Sequence, residues 1–167
     1  HLGIAQMMLE NYPKAALTFE KAVELNPNYP QMREYMIISR TNWGAAKFEK
    51  DSFEEALFHF RYALDYQPTN EGIKANISVA YNKLAERAFE ANNLEEAYAI
   101  VRAAIFYDRE NPKSFIQMGL IQEQINQIDS AEIAYNQAYM SDPADEESIL
   151  TLIDFYRRKD DQYKVKV

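Results

Sequence analysis

The chain has 167 residues, 47% of them apolar, which is enough to bury a core and argues against intrinsic disorder. Its net charge is −8, so phosphate backbones are repelled and nucleic acid is a poor partner, while the acid-rich C-terminal end mostly serves solubility and would also suit a basic peptide segment. It has no Cys, which excludes disulfides and thiolate metal sites, and no apolar run approaching the roughly 20 residues that span a bilayer.

Gly and Pro are scarce, at 4 and 6, and the abundant residues favour helix. The first element is the end of a helix carrying Leu2-Gly3. The frame Ala15-x3-Phe19-x2-Ala22 follows, closed by Asn26-Pro27. Positions i, i+4 and i+7 share one helix face, so two alanines around an aromatic make a notch and a knob for a neighbouring helix. Proline cannot continue the helix and marks its stop.

The next stretch repeats this plan. Met32, Met36, Ser39, Trp43 and Ala46 step by three or four, the turn Lys50-Asp51-Ser52 follows, and the frame returns as Ala56-x3-Phe60-x2-Ala63 before Pro68. The third copy has Ile73, Ile77, Ala80, Leu84, Ala88 and Ala91, the turn at Asn92-Asn93, and the frame Ala97-x3-Val101-x2-Ala104. Its proline, Pro112, comes three residues later than the others. The fourth copy has Phe115, Met118 and Ile121, then Ala131-x3-Tyr135-x2-Ala138 and Pro143. Asp51 or Ser52 and Asn93 are expected to cap the frame helices, with Glu54-Glu55 and Glu95-Glu96 favouring the helix dipole in the first turn.

The first frame alanines, at 15, 56, 97 and 131, are 41, 41 and 34 residues apart. The apolar rhythm is unbroken from Met32 to Ala46 and from Ile73 to Ala91. The extra seven residues in copies two and three are therefore expected as two added turns at the start of their first helices, about 10.5 Å each, giving helices of about 18–20 residues. After Pro143, Asp145-Glu146-Glu147 opens one more helix with Ile149, Leu152, Ile153 and Tyr156 on a face. It reads either as a cap on the array or as half of a further repeat, since Lys159-Asp160-Asp161-Gln162-Tyr163 looks like an inter-helix turn.

With its trailing proline, this frame resembles the second helix of the tetratricopeptide repeat family. The family's Leu-Gly pair is matched by Leu2-Gly3, Trp43-Gly44, Leu84-Ala85 and Met118-Gly119, each pair's second residue lying twelve before the first frame alanine. The aromatic expected three residues after the pair is missing, with Gln6, Lys47, Ala88 and Gln122 in its place. The resemblance implies an all-α fold, an α-solenoid of antiparallel helical hairpins in a right-handed superhelix. It divides the chain, as a single domain, into a partial repeat (1–29), repeats at 30–70, 71–111 and 112–145, and a final helix at 146–167. Beginning at His1, the chain reads as an excised piece of a longer protein from either the cytoplasm or the periplasm.

No chemistry-bearing constellation emerges, and neither a catalytic residue, a metal nor a cofactor is expected. His59 sits between Phe58 and Phe60 and reads as a lone surface or half-buried histidine, and no histidine pair has helical metal spacing. Glu54-Glu55 and Glu95-Glu96 recur at one repeat position, which first-turn electrostatics explains.

The resemblance implies a protein–protein interaction scaffold that holds a partner peptide in a groove lined by first helices. The positions it assigns to the groove are Thr41, Asn42 and Ala45, then Asn82, Lys83 and Glu86, then Lys113, Ile116, Gln117 and Leu120. A chaperone-tail clamp of the family's kind would use Asn42 and Lys83, but Ile4 and Val79 stand at further clamp positions. The alternatives are a self-associating structural array, or the docking region of a larger enzyme or cell-envelope assembly.

Overall fold

A computed structural model describes the backbone of residues 1–165 and the side chains of residues 1–160. Among these residues there are nine α-helices and no strand: α1 (Leu2–Met8), α2 (Tyr12–Leu25), α3 (Pro30–Phe48), α4 (Phe53–Tyr66), α5 (Glu71–Glu90), α6 (Leu94–Tyr107), α7 (Pro112–Gln124), α8 (Ile128–Ser141) and α9 (Glu146–Val165). The fold class expected from the sequence is the one observed.

The frame helices α2, α4, α6 and α8 have 14 residues each. The helices before them differ: α3 has 19 and α5 has 20, against 13 in α7. The extra residues of copies two and three are thus helix rather than loop. Pro112 starts α7 instead of stopping α6, because a proline at the first helical position loses no hydrogen bond.

The turns within hairpins share one device. Glu10, Asp51, Asn92 and Asn126 are the described non-glycine residues with positive φ, at 55°, 56°, 60° and 60°. Each left-handed residue lets the following N–H reach back five residues, as Ser52 N does to Lys47 O at 3.0 Å and Asn93 N to Ala88 O at 2.8 Å. Asp51 therefore ends α3 rather than capping α4, and neither Ser52 nor Asn93 at the N-cap position makes a side-chain cap bond. Side-chain caps sit mostly at the entry to first helices. Asn70 Oδ1 accepts from Ile73 N at 3.0 Å, Asn111 Oδ1 from Lys113 N at 3.1 Å, and Asp145 Oδ2 from Ser148 N at 2.8 Å.

Residues 1–80 and those from Tyr81 on form two compact units, with the boundary inside α5. In the first, α2 packs on α1 and α3, and α3 on α4. Ala15, Ala56 and Ala63 are wholly buried, as the notch requires, although Ala22 is only half-buried. The aromatic knob faces the glycine sixteen residues earlier. A Cβ on Gly3 would lie 2.6 Å from the Phe19 ring, and one on Gly44 2.6 Å from that of Phe60.

The second unit packs α7 on α6, α8 and α9. Its core joins Ala85, Ala88, Ala97, Val101, Met118 and Ile121. A Cβ on Gly119 would meet the Tyr135 ring at 2.5 Å, whereas Ala85 faces the smaller Val101. Phe155 of α9 is buried against Tyr135, ring centroids 5.2 Å apart, so α9 covers the α8 face. The helix continues through residues 159–163, where the sequence suggested a turn: neither Gly nor Pro interrupts that stretch, and its acidic and polar residues are all compatible with helix.

Candidate functional site

In residues 1–80 the face of α3 and the first turns of α5 border a cleft of about 630 Å³. Thr41 and Asn42, two of the positions that the resemblance assigns to a groove, line it, joined by Asn76 and the exposed Ile38 over the buried Ile37 and Ile73. The extension of α5 makes this wall, since Ile73 and Asn76 belong to its added turns. Neither the Asn42 nor the Asn76 amide has a side-chain hydrogen bond among the described residues, so both donors and acceptors face the cleft or solvent.

In the second unit the proposed residues fall into two groups. Asn82 is buried, with Nδ2 donating to Ser114 Oγ at 2.9 Å while Ser114 Oγ lies 3.1 Å from Asn82 Oδ1, a pairing that fastens α5 to α7. Gln117 Nε2 donates to Asn82 O at 3.1 Å. Ser78, Asn82 and Ala85 step by four and three along the buried stripe, which is the sequence signal that Asn82 faces inward. The other group is exposed: Lys83 pairs with Glu86 at 2.7 Å, Lys113 lies 3.6 Å from Glu147, and Leu120 is 38% exposed, whereas Ile116 is buried.

A buried cluster in residues 1–80 was not anticipated. Glu20, Trp43, His59 and Tyr62, drawn from α2, α3 and α4, gather around Arg40. Arg40 Nε donates to Glu20 Oε1 at 2.6 Å, and its Nη1 lies 3.1 Å from His59 Nδ1. Its guanidinium sits 4.2 Å from the Tyr62 centroid and 5.1 Å from that of Trp43, and the Trp43 and His59 rings stack at 3.9 Å. His59 is thus 5% exposed and committed to partners, neither the surface nor the half-buried residue its isolation in sequence suggested. Burial, then the charges of Arg40 and Lys47, push its pKa down to about 4, so the ring is neutral and accepts from Arg40. Burial also raises the Tyr62 hydroxyl pKa. The sequence held one hint: Arg40 falls midway between Met36 and Gly44 on the buried stripe of α3.

This cluster is a closed ion-pair box, with no open position beside a nucleophile, and reads as packing rather than catalysis. Among the described residues no group of three or more His, Asp or Glu side chains could hold a metal, and no helix is long and apolar enough to cross a membrane.

Residues 112–145, covering α7, α8 and the turn after them, match the family model described as tetratricopeptide repeat. No curated protein matches the chain in sequence. Among solved structures, MamA is similar with a TM-score of 0.53 and 14% identity, over 95% of this chain and 85% of that one. The first TPR domain of human RPAP3 reaches a TM-score of 0.50 at 17% identity, over 78% of this chain and 97% of that one. The Sgt2 TPR domain from Aspergillus fumigatus gives 0.50 at 17%, over 77% and 82%. At these identities the likeness is one of fold. One repeat, residues 112–145, thus matches the tetratricopeptide repeat model, the glycine–aromatic pairing recurs three times along the chain, and the fold is one shared with TPR domains.

Proposed function

We propose that the protein is a non-catalytic interaction scaffold that holds an extended segment of a partner protein on the first-helix face of α3 and α5. The observation that carries this is the cleft in residues 1–80. It has an apolar floor at Ile37 and Ile73, and the side-chain amides of Asn42 and Asn76 stand beside it without hydrogen bonds of their own. Such amides bond a peptide backbone through both donor and acceptor, and the isoleucines receive an apolar side chain. Within the second unit, taken by itself, Lys83, Glu86, Lys113 and Gln117 are proposed as polar contacts on the first helices there, with Asn82 supporting Gln117 from within.

The test is selection of binders from a peptide library, followed by calorimetry on Asn42→Ala with Asn76→Ala. Affinity should drop tenfold or more while the thermal midpoint shifts by less than about 2 °C, because neither amide holds the fold together. Undiminished affinity in that variant would refute the cleft assignment.

Self-association is a second reading, favoured by the exposure of Phe58 (60%), Phe106 (73%) and Ile133 (71%). Light scattering over a concentration series separates it from a monomeric scaffold.

A further inference from the structure

We propose that a groove on α6, α7 and α8 is a second docking site, one that takes an acidic peptide segment through an aromatic side chain. This groove, about 560 Å³, is distinct from the first-helix cleft and lies wholly in the second unit.

Its chemistry follows from repeat register. Frame α2 becomes frame α6 on adding 82 (Ala15 to Ala97), and α3 and α4 become α7 and α8 on adding 75 (Gly44 to Gly119, Ala56 to Ala131). On that register the groove occupies the place that the Arg40 box fills in residues 1–80. Where the first unit has Arg40, Trp43, His59 and Tyr62, the second has Phe115, Met118, Ala134 and Gln137. Three of these four replacements carry a smaller side chain or no ring, and the space they leave is the open groove. Where the first unit has the Glu20 carboxylate, the second has Arg102, and where the other copies have their stop proline, it has Arg109. Both arginines line the groove, and neither makes an ion pair among the described residues.

The closed box therefore shows what such a space accepts: a carboxylate against a guanidinium, with aromatic rings stacked around it. The open groove keeps guanidinium groups and lacks both the carboxylate and the ring that stacks beside it. A peptide with an aromatic residue flanked by acidic ones supplies both. Its ring would lie against Phe115, Met118 and Ile105, where aromatic–aromatic, sulfur–aromatic and cation–π contacts are all within reach, and its carboxylates would pair with Arg102 and Arg109. The exposed rims support the same occupant. Phe106 and Ile133 stand 73% and 71% exposed on either side, an apolar lip that an inserted ring would cover. Gln122, at the place of Lys47, leaves Oε1 buried without a partner, as expected of a site built for more than the chain provides.

The experiment uses a synthetic peptide, Asp-Glu-Phe-Asp-Glu, titrated into the isotopically labelled chain. Two controls accompany it, one with Ala in place of Phe and one with Lys at every acidic position. Saturable shifts are expected in α6, α7 and α8, with affinity at least tenfold weaker for both controls and falling as salt is raised. Arg102→Glu should weaken binding tenfold or more. Gln137→Tyr, which restores the ring found at Tyr62 on an exposed position, should close the groove and do the same with the circular dichroism spectrum unchanged. Asn42→Ala with Asn76→Ala should leave this binding untouched, which separates it from the first-helix cleft. Absence of saturable binding, equal binding by Arg102→Glu, or shifts confined to residues 1–80 would overturn the proposal. Self-association that Gln137→Tyr abolishes would assign the groove to a second copy and overturn it as well.

Discussion

How closely two helices of a hairpin approach is decided by single atoms. Gly3, Gly44 and Gly119 face an aromatic ring sixteen residues on, while Ala85 faces Val101, so a β-carbon is present only where the knob is small. Gly44→Ala should therefore cost about 1–3 kcal/mol by overpacking against Phe60. Phe60→Val should cost about 1–3 kcal/mol through lost burial. Together they should cost less than the sum by about 1 kcal/mol, because the pair then matches Ala85 and Val101. A denaturant-melt double-mutant cycle measures this, and strict additivity would mean that ring and β-carbon do not meet. The left-handed turn residue is a second case. Glu10 holds the conformation that Asn and Asp occupy in the other three hairpins, and an ordinary side chain there is strained. Glu10→Gly should stabilise the chain by about 0.5–1 kcal/mol, visible as a thermal midpoint raised by roughly 1–4 °C. An unchanged or lower midpoint would show that the turn carries no such strain.

At the scale of the element, what is periodic was legible and what depends on a facing helix was not. The long α3 and α5 could be read because added turns keep the three–four apolar rhythm, which a loop has no reason to keep. All the frame alanines but the half-buried Ala22 could be read as buried for the same reason, and Ala104→Leu should cost about 1–3 kcal/mol in a denaturant melt, since the residue is wholly enclosed. An unaltered stability would mean that α6 is not packed at its notch. The burial of Asn82, assigned to the groove by its repeat position, was not legible because a polar side chain on the buried stripe needs a partner elsewhere in the chain, and Ser114 is 32 residues away. The Arg40 box escaped for that reason too, as its five side chains come from three helices and no local spacing joins Glu20 to His59. The run through residues 159–163 was misread in the other direction: clustered polar residues look like a turn, yet nothing there breaks a helix. Of the residues lining the cleft proposed as the interaction face, Thr41 and Asn42 were assigned to a groove from their repeat position, while Asn76 was not, because it stands on turns that the family's ordinary repeat lacks.

For the molecule as a whole, the two units differ in how acid reaches them. The histidine of the Arg40 box lies in residues 1–80, and no histidine occurs from Tyr81 on. Folded, His59 titrates at about 4; unfolded, it should titrate near its ordinary 6.5. Between those values the unfolded chain binds a proton that the folded chain refuses, so stability must fall as pH falls across that window. The full difference is worth about 3 kcal/mol, reached below about pH 4. The carboxylates act later. Glu55 beside Lys47, Glu132 beside Lys159 and Asp145 capping Ser148 are all held below their ordinary values of 4.5, 4.5 and 3.8, so what they contribute is lost only below that range. Hydrogen exchange with mass spectrometry at pH 7, 5.5 and 4.5, corrected for intrinsic rates, should show α2, α3 and α4 losing protection first while α7, α8 and α9 keep theirs. His59→Gln, which keeps an acceptor for Arg40 but cannot take the proton, should level the two responses. Equal loss in both units, or an acid response that survives His59→Gln, would place the weak point elsewhere than in the box that Arg40 closes.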